Sequence, residues 1–253
     1  MYLDNLIPNS LGALFSPYCL FHKLKQPKMV SYGLMANLLG ARKRGLFAGV
    51  QGIVDVGANI GQYAYMAHAI FPSLPIHSFE PVPQSCRALE DNFRRHAIPG
   101  SAHAVALAAE CGEAEFLLQN NLEQSSFLAK LDQHDVSTNA IRVKTATLDS
   151  YASHIPPLDF YFLKIDTQGF EANVLRGASA FINRCAVVQL EVAIRPTYAH
   201  QPPAHQLLSM MDDFGFDLVE VLDILRLPTA EGGALAEADL LFRRKNLSSR
   251  GAQ

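Results

Sequence analysis

The stretch GIVDVGANIG, residues 52–61, decides the fold of this chain. Its first half is short, apolar and rich in β-branched side chains, as in a strand buried on both faces of a parallel sheet. Gly57 and Gly61 follow, and glycine lets the backbone turn sharply and approach a ligand closely. Residues 63–71 continue as a mostly apolar helix that Pro72 ends. The stretch therefore predicts a strand, a tight turn and a helix, the first unit of a doubly wound sheet.

A second strand is predicted at residues 76–79, and an acid follows it directly. Glu80 follows Asp55 at close to the roughly 20-residue spacing at which a carboxylate binds ribose hydroxyls in doubly wound folds. A carboxylate only accepts hydrogen bonds, and it can take both hydroxyls at once. Glu80 is therefore predicted to bind a ribose. The alternative is an acid that stabilises the N-terminus of the next helix.

The glycine turn excludes two nucleotide-binding motifs. A dinucleotide site requires G-x-G-x-x-G, but Asn59 and Gln62 stand where the second and third glycines would be. No Gly-Lys-Ser/Thr follows, so the turn is not a P-loop either. The pattern D-x-G-x-N-x-G instead resembles motif I of class I S-adenosylmethionine-dependent methyltransferases. That cofactor carries no phosphate, so the turn need only admit its methionine part and its sugar.

Six short motifs occur in order along the chain: DVGANIG (55–61), FEPVP (79–83), TLDSY (147–151), LKIDTQGFE (163–171), VLRGA (174–178) and QLEV (189–192). Together they resemble the FkbM family of methyltransferases, over about residues 53–244. The chain departs from the family pattern at Gln168, where an acid more often precedes the glycine. Gln168 keeps the shape of that acid and loses its charge, so a role carried over from the family does not extend to this position.

The resemblance implies a Rossmann-like class I methyltransferase fold, an α/β fold with a mostly parallel seven-stranded sheet, helices on both faces and an antiparallel edge strand. Alternating strand and helix patterns also predict a parallel sheet covered on both faces. The further strands are expected at residues 102–107, 114–118, 141–145, 160–165, 186–192, 217–222 and 239–243, the last being the antiparallel edge strand. Helices are expected at residues 85–96, 170–182 and 205–214.

Three regions are expected along the chain. Residues 1–50 form a helical extension that either caps the acceptor site or only adds packing. Residues 51–245 form the methyltransferase domain, and residues 246–253 form a C-terminal tail. Residues 119–139 are polar and lack a clear period, so they are expected to be a flap over the active site or an ordinary surface loop.

Four acids end, or nearly end, predicted buried strands: Asp55, Glu80, Asp166 and Glu191. Ligands of open parallel sheets bind outside the carboxyl ends of the strands, so these acids are expected at the site. Asp55 faces the cofactor or accepts hydrogen bonds from the glycine-turn amides. By the resemblance, Pro81 packs beside the adenine. The predicted cofactor site therefore comprises Asp55, Gly57, Asn59, Gly61, Glu80 and Pro81.

A catalytic cluster is predicted from residues that leave one face of two strands. Lys164 and Asp166 are two apart on a strand and share a face, as do Gln189 and Glu191 on the next. If those strands are neighbours, Lys164 either pairs with Glu191 as a structural ion pair or joins an acceptor-side cluster. The predicted catalytic residues are Asp166, Lys164 and Glu191. Asp166 is the first candidate for general base, since it borders cofactor and acceptor in the resembled fold.

Three further residues are predicted to bind substrate. Glu171 begins a helix, where an acid is also favoured by the helix dipole. His200 and His205 flank a Pro-Pro loop after the Glu191 strand, and the alternative for both is an ordinary surface position. No His or acid spacing indicates a metal site, although Asp149, Asp166 and Glu191 would form one if the fold brought them together. No obligatory metal is expected.

Bulk composition fits a globular enzyme domain rather than a nucleic-acid or membrane protein. The chain has 253 residues, is 49% hydrophobic and carries a net charge of −3, which gives no general attraction to nucleic acid. Four scattered cysteines form no C-x-x-C motif. No signal peptide and no membrane span are predicted, so a cytoplasmic location is expected. The residues do not indicate an oligomeric state.

The predicted function is methyl transfer from S-adenosylmethionine to an oxygen, a hydroxyl of a sugar or secondary metabolite. The resemblance supplies the preference for oxygen. The expected partner is a small-molecule acceptor, polar or glycosylated. The alternatives are N-methylation of a small amine or peptide, and a catalytically inactive cofactor-binding module.

Overall fold

A computed structural model describes residues 16–119, 121–131, 139–227 and 233–245. The described helices are α1 (Pro17–Lys25), α2 (Tyr32–Lys43), α3 (Gln62–Ile70), α4 (Pro83–His96), α5 (Leu148–Tyr151), α6 (Glu171–Arg176) and α7 (Ala204–Asp213). The described strands are β1 (Gly52–Val56), β2 (Ile76–Phe79), β3 (Gly100–His103), β4 (Ala106–Leu107), β5 (Gly112–Leu118), β6 (Asn139–Ala146), β7 (Tyr161–Ile165), β8 (Cys185–Ala193), β9 (Phe216–Leu227) and β10 (Ala234–Arg244).

Seven strands form the central sheet, in the order β3-β2-β1-β7-β8-β10-β9. The pairs from β3 to β8 are all parallel, and β10 runs antiparallel to both β8 and β9. The mostly parallel sheet is thus confirmed. The strand expected at 239–243 is antiparallel as predicted, but it lies one place in from the edge, because β9 pairs with its outer side. The edge strand is β9.

The inner parallel strands of the sheet are buried on both faces, and neighbouring residues of one strand face opposite sides of the sheet. Ile53 of β1 belongs to a core cluster that includes residues of α2, α3 and α4. Val54, the next residue, belongs to a second cluster with residues of α6 and α7. Every residue of β1, β2 and β7 is buried, which explains why these strands are short continuous apolar runs rather than alternating ones.

The strand expected at 102–107 is in fact two strands in two sheets. The chain turns after β3, where the N–H of Val105 donates to the carbonyl of His103, and β4 then pairs with β6. β4, β6 and β5 form a separate three-stranded sheet, so the strands expected at 114–118 and 141–145 belong to it and not to the central sheet. Phe116 and Val143 of this small sheet pack with Val82 and Ala106.

The helix expected at 170–182 is shorter than predicted. It ends at Arg176, and a 3-10 turn follows at Phe181–Arg184. Asp149 accepts hydrogen bonds from the backbone N–H groups of Ala180 and Phe181, and this favours a new turn over a continuous helix. Because Asp149 is engaged there, it does not converge with Asp166 and Glu191 on a common metal site.

The described part of the N-terminal region packs against the sheet's flank. Cys19, Met35 and Leu38 are buried in the first core cluster. The side-chain amide of Asn37 donates to the carbonyl of Leu222 in β9 at 2.6 Å. Residues 1–15 and the predicted tail at 246–253 lie outside the described residues.

Candidate active site

A cleft of about 640 Å³ opens at the carboxyl ends of the parallel strands. Its volume lies within the roughly 300–1,000 Å³ typical of small-molecule sites. Residues that follow β1, β2, β7 and β8 line its floor, and residues of the N-terminal region, the 121–131 segment and the β9–β10 pair line its walls. This is the position that parallel-sheet topology predicts for a ligand site.

The glycine turn after β1 is shaped by packing within the protein. Gly57 has φ +77°, and a Cβ there would lie 1.8 Å from the backbone oxygen of Asp166. Gly61 has φ +95°, and a Cβ there would lie 2.8 Å from Leu89 Cδ1 in α4. Gly57 lines the cleft and Gly61 does not. Both glycines are therefore required by close approach of the chain to itself, and Gly61 is placed behind the predicted cofactor site rather than in it.

Glu80 is held rigidly at the end of β2. One carboxylate oxygen accepts the backbone N–H of Asn59 at 2.9 Å, and the other accepts that of Val82 at 2.8 Å. Burial raises the pKa of Glu80 to about 7, although these two hydrogen bonds oppose the rise. Each carboxylate oxygen has about two acceptor positions, so each retains one for a ligand. Asn59, Glu80 and Pro81 all line the cleft, as predicted for cofactor-binding residues.

An apolar slot adjoins Glu80. Val82, Val105, Leu107 and Phe116 line it, and the last three come from the region that connects the two sheets and from the small sheet. The ring of Phe127 closes one side, with its centroid 4.9 Å from that of Phe116. The flap predicted at 119–139 is thus placed on the cleft in its described part, since residues 121–125, Phe127 and Lys130 line it. Residues 132–138 lie outside the described residues.

Asp55 lies beneath the cleft instead of facing it. Its side chain is fully buried, one oxygen accepts the Ser78 hydroxyl at 3.0 Å, and the other lies 3.3 Å from Lys164 Nζ. Burial raises the pKa of Asp55, and the Lys164 charge opposes the rise. The turn amides do not contact Asp55: those of Gly57 and Ala58 donate to the carbonyl of Phe79. Neither role predicted for Asp55 matches this position, and its role in the structure is to pair with Lys164.

Lys164 does not pair with Glu191, so that prediction was wrong. Its Nζ lies 3.3 Å from Asp55 Oδ1 and 3.3 Å from Asp166 Oδ2. It also donates to the carbonyl of Gly57 at 3.1 Å. Burial disfavours the charged ammonium, but Asp166 and Asp55 outweigh it, and the pKa of Lys164 is raised. Lys164 is therefore a permanent cation that holds two acids and the turn together.

Gln168 joins the two acids Asp166 and Glu191 on the wall of the cleft. Its Nε2 lies 3.2 Å from Asp166 Oδ1 and 2.9 Å from Glu191 Oε2. Its Oε1 accepts the Tyr198 hydroxyl at 2.9 Å. Gln168, Tyr198 and Glu237 line the cleft but were not predicted as site residues. Gln168 had one signal in the sequence, its departure from the family pattern at a strand-end turn.

Glu191 is the acid best suited to exchange a proton. Burial raises its pKa well above the ordinary value, and the charges of Asp166 and Glu237 raise it further. One of its oxygens accepts from Gln168, while Oε1 has no hydrogen-bond partner among the described residues. Asp166 differs, because Lys164 engages one of its oxygens and Gln168 the other. The free acceptor oxygen thus belongs to Glu191, although Asp166 was the first candidate in the sequence.

The three residues predicted to bind substrate all lie off the cleft. Glu171 is buried behind the turn after β7, where its Oε1 accepts the N–H groups of Thr167 at 2.9 Å and Gly169 at 3.1 Å. Burial raises the pKa of Glu171 to about 7, against these hydrogen bonds. His200 and His205 are exposed and do not line the cleft. Their loop contributes Thr197 and Tyr198 to it instead.

Within residues 16–119, 121–131, 139–227 and 233–245, no three His, Cys, Asp or Glu side chains are grouped so as to hold a metal ion. In the same part of the chain, no helix has the length and apolar character that a membrane crossing requires.

The fold and the cleft together define a class of protein. The sheet has seven strands, is antiparallel only at β10, and carries its cleft at the carboxyl ends of the parallel strands. This arrangement is the Rossmann-like class I methyltransferase fold. The profile described as "Methyltransferase FkbM domain" matches residues 55–218. The chain belongs to this family, and the resemblance inferred from the motifs is confirmed.

Two curated relatives are similar over parts of their length. One is "31-O-demethyl-FK506 methyltransferase FkbM" of Streptomyces tacrolimicus, 40% identical over 60 residues, which are 24% of this chain and 23% of that protein. The other is "Methyltransferase 1" of Beauveria bassiana (strain ARSEF 2860), 28% identical over 145 residues, 49% of this chain and 57% of that protein. The chain thus spans less than two thirds of the length of both relatives.

Solved structures of low sequence identity share parts of the arrangement. A precorrin-6y C5,15-methyltransferase of Geobacter metallireducens GS-15 is 12% identical, with a TM-score of 0.45 over 81% of this chain and 87% of that one. TehB of Haemophilus influenzae is 11% identical, with a TM-score of 0.45 over 81% of this chain and 62% of that one.

Proposed function

We propose that this protein is an S-adenosylmethionine-dependent methyltransferase that methylates a hydroxyl oxygen of a small polar molecule. The observation that carries the proposal is one continuous cleft with two different carboxyl groups on its wall. Glu80 is fixed beside an apolar slot, and Glu191 presents an oxygen that no described residue binds. A nucleoside site and a proton acceptor therefore share one cavity.

The residues around Glu80 fit the nucleoside part of the cofactor. Glu80 keeps acceptor positions for two ribose hydroxyls, since its other positions are filled by Asn59 and Val82 N–H groups. The slot lined by Val105, Leu107 and other apolar side chains suits a flat base. When bound, S-adenosylmethionine supplies an electrophilic methyl group on a positively charged sulfur.

The acceptor half of the cleft fits the removal of a hydroxyl proton. Glu191 is suited to be the general base, because it lines the cleft with an oxygen that no described residue binds, and burial and neighbouring acids raise its pKa above the ordinary value. The acceptor hydroxyl gives its proton to Glu191 Oε1, and its oxygen would take the methyl group that bound S-adenosylmethionine would supply, leaving the neutral thioether as the second product. Asp166, bound by Lys164 and Gln168, orders the wall beside it.

The acceptor is a neutral, hydroxyl-bearing sugar or secondary metabolite. Glu191, Glu237, Gln168 and Tyr198 offer polar groups to the cleft, and Leu225 of β9, the strand partner of Glu237, adds an apolar contact surface. The name of the Streptomyces relative refers to methylation at an oxygen, which supports this choice. Met29, Val30 and Leu34 also line the cleft, so we propose that the described part of the N-terminal region caps the acceptor.

N-methylation of a small amine is the second candidate. Glu191 and Glu237 together form an acidic wall that also attracts an ammonium group. The two candidates differ in the product. Incubation with S-adenosylmethionine carrying a deuterated methyl group, with panels of polyols, glycosides and amines, locates the label by fragmentation in mass spectrometry.

A labelled methyl ether supports the proposal, and a labelled N-methyl amine replaces it with the second candidate. If the protein binds the cofactor tightly, labels no acceptor and does not consume the cofactor, the result favours an inactive binding module.

A further inference from the structure

We propose that Gln168 is a positioning residue that holds Asp166 and Glu191 side by side and so presents Glu191 Oε1 to the acceptor. This inference rests on the proposed function, in which Glu191 accepts the proton. It assigns a role to the position where the chain departs from its family's pattern.

The side-chain amide of Gln168 reduces the electrostatic repulsion between Asp166 and Glu191. Asp166 lies close enough to Glu191 for its charge to raise the pKa of Glu191 and so to disfavour the charged form that a base needs. A side-chain amide nitrogen carries two hydrogens. In this structure the same Nε2 reaches an oxygen of each acid, at 3.2 Å and 2.9 Å. The amide therefore stabilises both charged forms while adding no charge of its own.

The orientation of the amide is fixed by its other end. Tyr198 carries a hydroxyl within 2.9 Å of Gln168 Oε1. The same hydroxyl lies 2.9 Å from the carbonyl of Gln124, so its single hydrogen serves one of the two oxygens at a time. Because the amide oxygen cannot donate, a flipped Gln168 would turn an acceptor toward two carboxylates. The arrangement with Nε2 toward the acids is the one in which donors meet acceptors.

The backbone at Gln168 is held just as firmly. Gln168 has φ +55°, in the left-handed region that non-glycine residues rarely adopt. Glu171 accepts the N–H groups of the residues on either side, Thr167 and Gly169. Ser126, in the segment that covers the cleft, donates its hydroxyl to the Gln168 carbonyl at 2.8 Å. A strained conformation secured from both sides is typical of a functional position.

A glutamate at 168 would have the same shape and the opposite effect. It would place a third carboxyl between the first two, so that protons would be retained to a higher pH. The neutral amide instead lowers the pH at which Glu191 becomes a competent base. Gln168 thus makes the two acids differ in their free oxygens. Both oxygens of Asp166 and Oε2 of Glu191 are bound, and Oε1 of Glu191 is left for the acceptor.

The test follows the titration of Glu191 directly, in the absence of acceptor. Protein labelled with ¹³C at glutamate side-chain carboxyls is titrated by NMR, with the Glu191 signal assigned from the spectrum of Glu191→Gln. The titration midpoint is compared among wild type, Gln168→Met, Gln168→Glu and Tyr198→Phe. Gln206→Met, the same chemical change at a residue of α7 that does not line the cleft, is the matched control.

We expect the midpoint to rise from wild type to Gln168→Met and further to Gln168→Glu, with a smaller rise in Tyr198→Phe and none in Gln206→Met. Equal midpoints in wild type, Gln168→Met and Tyr198→Phe would overturn the proposal. If Gln168→Met does not fold, the order of wild type, Tyr198→Phe and Gln168→Glu decides it in the same way. The measurement needs no turnover, so a failure of the proposed function leaves its result readable.

Where an acceptor has been found, the same variants give a kinetic test. Gln168→Met should lower kcat on the order of 10- to 100-fold, by analogy with the loss of groups that orient the ligands of a metal site. The KM for S-adenosylmethionine should stay within a few-fold, and the rising limb of the pH–rate profile should move to higher pH. An unshifted profile with unchanged kcat contradicts the inference.

Discussion

The carboxylate of Glu80 accepts the backbone N–H of Asn59 at 2.9 Å, and this contact joins the two halves of the cofactor motif. Asn59 belongs to the turn after β1 and has φ +48°, while Glu80 directly follows β2. The hydrogen bond fixes the acid relative to the turn before any ligand arrives. Less ordering is then required on binding, which favours affinity.

Replacing Glu80 should weaken cofactor binding more than it weakens the fold. Glu80→Ala removes the charged acceptor for two hydroxyls, a loss of about 1.5–3 kcal/mol. That is roughly 10- to 150-fold in Kd for S-adenosylmethionine, measured by titration calorimetry. Glu90→Ala, at an exposed site of the next helix, is the control and should bind as wild type does. Equal affinities for Glu80→Ala and wild type would remove Glu80 from the ribose site.

Gly57 is expected to matter for stability first. The sequence related Gly57 to close approach of a ligand, but a Cβ at Gly57 meets the Asp166 backbone oxygen at 1.8 Å. Gly57→Ala should therefore lower the Tm markedly. Gly45→Ala is a matched control, since Gly45 has φ +81° and no atom within 4 Å of the added Cβ. Left-handed strain alone costs roughly 1–2 kcal/mol. Similar Tm values for both variants would contradict the clash.

Glu191 should carry most of the acid–base chemistry. Glu191→Gln removes the proton acceptor and should lower the methyl transfer rate by roughly 10²–10⁴, with little change in cofactor affinity. Asp166→Asn should lower it less, because its oxygens already serve Lys164 and Gln168. Single-turnover assays of both variants measure this. The reverse order of effects would return the base role to Asp166, as the sequence suggested.

The pH dependence follows from the direction of the Glu191 pKa. A base acts when deprotonated, and burial moves its deprotonation to higher pH than for an ordinary glutamate. The wild-type rate should therefore rise through this raised pKa and then level off. If the rate is already constant at every pH above the ordinary pKa of a glutamate, the pKa of the catalytic base is not raised, and this contradicts the role of Glu191.

Lys164 should behave as a structural residue. Lys164→Met leaves the fully buried Asp55 without its cation, and breaking a buried ion pair costs about 3–5 kcal/mol. Unfolding in denaturant measures this loss, with Lys43→Met at an exposed position as the control. The double variant Asp55→Asn, Lys164→Met should recover part of the stability. A Lys164→Met variant as stable as wild type would show that the pair contributes nothing.

Chelation tests the expectation of a metal-independent reaction. Activity should survive EDTA, because the space between Asp166 and Glu191 holds the Gln168 amide. Loss of activity on chelation, with recovery on adding magnesium, would reassign these acids as metal ligands.

Local features were predictable from the sequence. Strand β1, the glycine turn and Glu80 lie close together along the chain, and their spacing alone indicates a nucleoside site. The seven-stranded sheet followed from the alternation of strands and helices together with the family motifs. The cleft-lining positions of Asn59, Pro81 and Glu191 also followed, since each comes at or near the end of a buried strand.

Long-range register was not predictable in the same way. Lys164 lies opposite Asp55 on β1 and opposite Gln189 on β8, so its partners depend on how three strands are aligned. The role of Gln168 depends on a left-handed backbone angle at a non-glycine residue, which sequence patterns do not indicate. The positions of His200 and His205 were not predictable either. Their loop lies near the site, but it exposes these two histidines to solvent and directs Thr197 and Tyr198 into the cleft.

The central claim is that this cleft binds S-adenosylmethionine with its ribose on Glu80. A crystal structure of the protein with S-adenosylhomocysteine tests it most directly. The account predicts both ribose hydroxyls within hydrogen-bonding distance of the Glu80 carboxylate, the adenine against the apolar wall that includes Val82 and Phe116, and the sulfur toward the Asp166–Glu191 side. A nucleoside bound elsewhere, or a cleft that stays empty at saturating ligand, would contradict it.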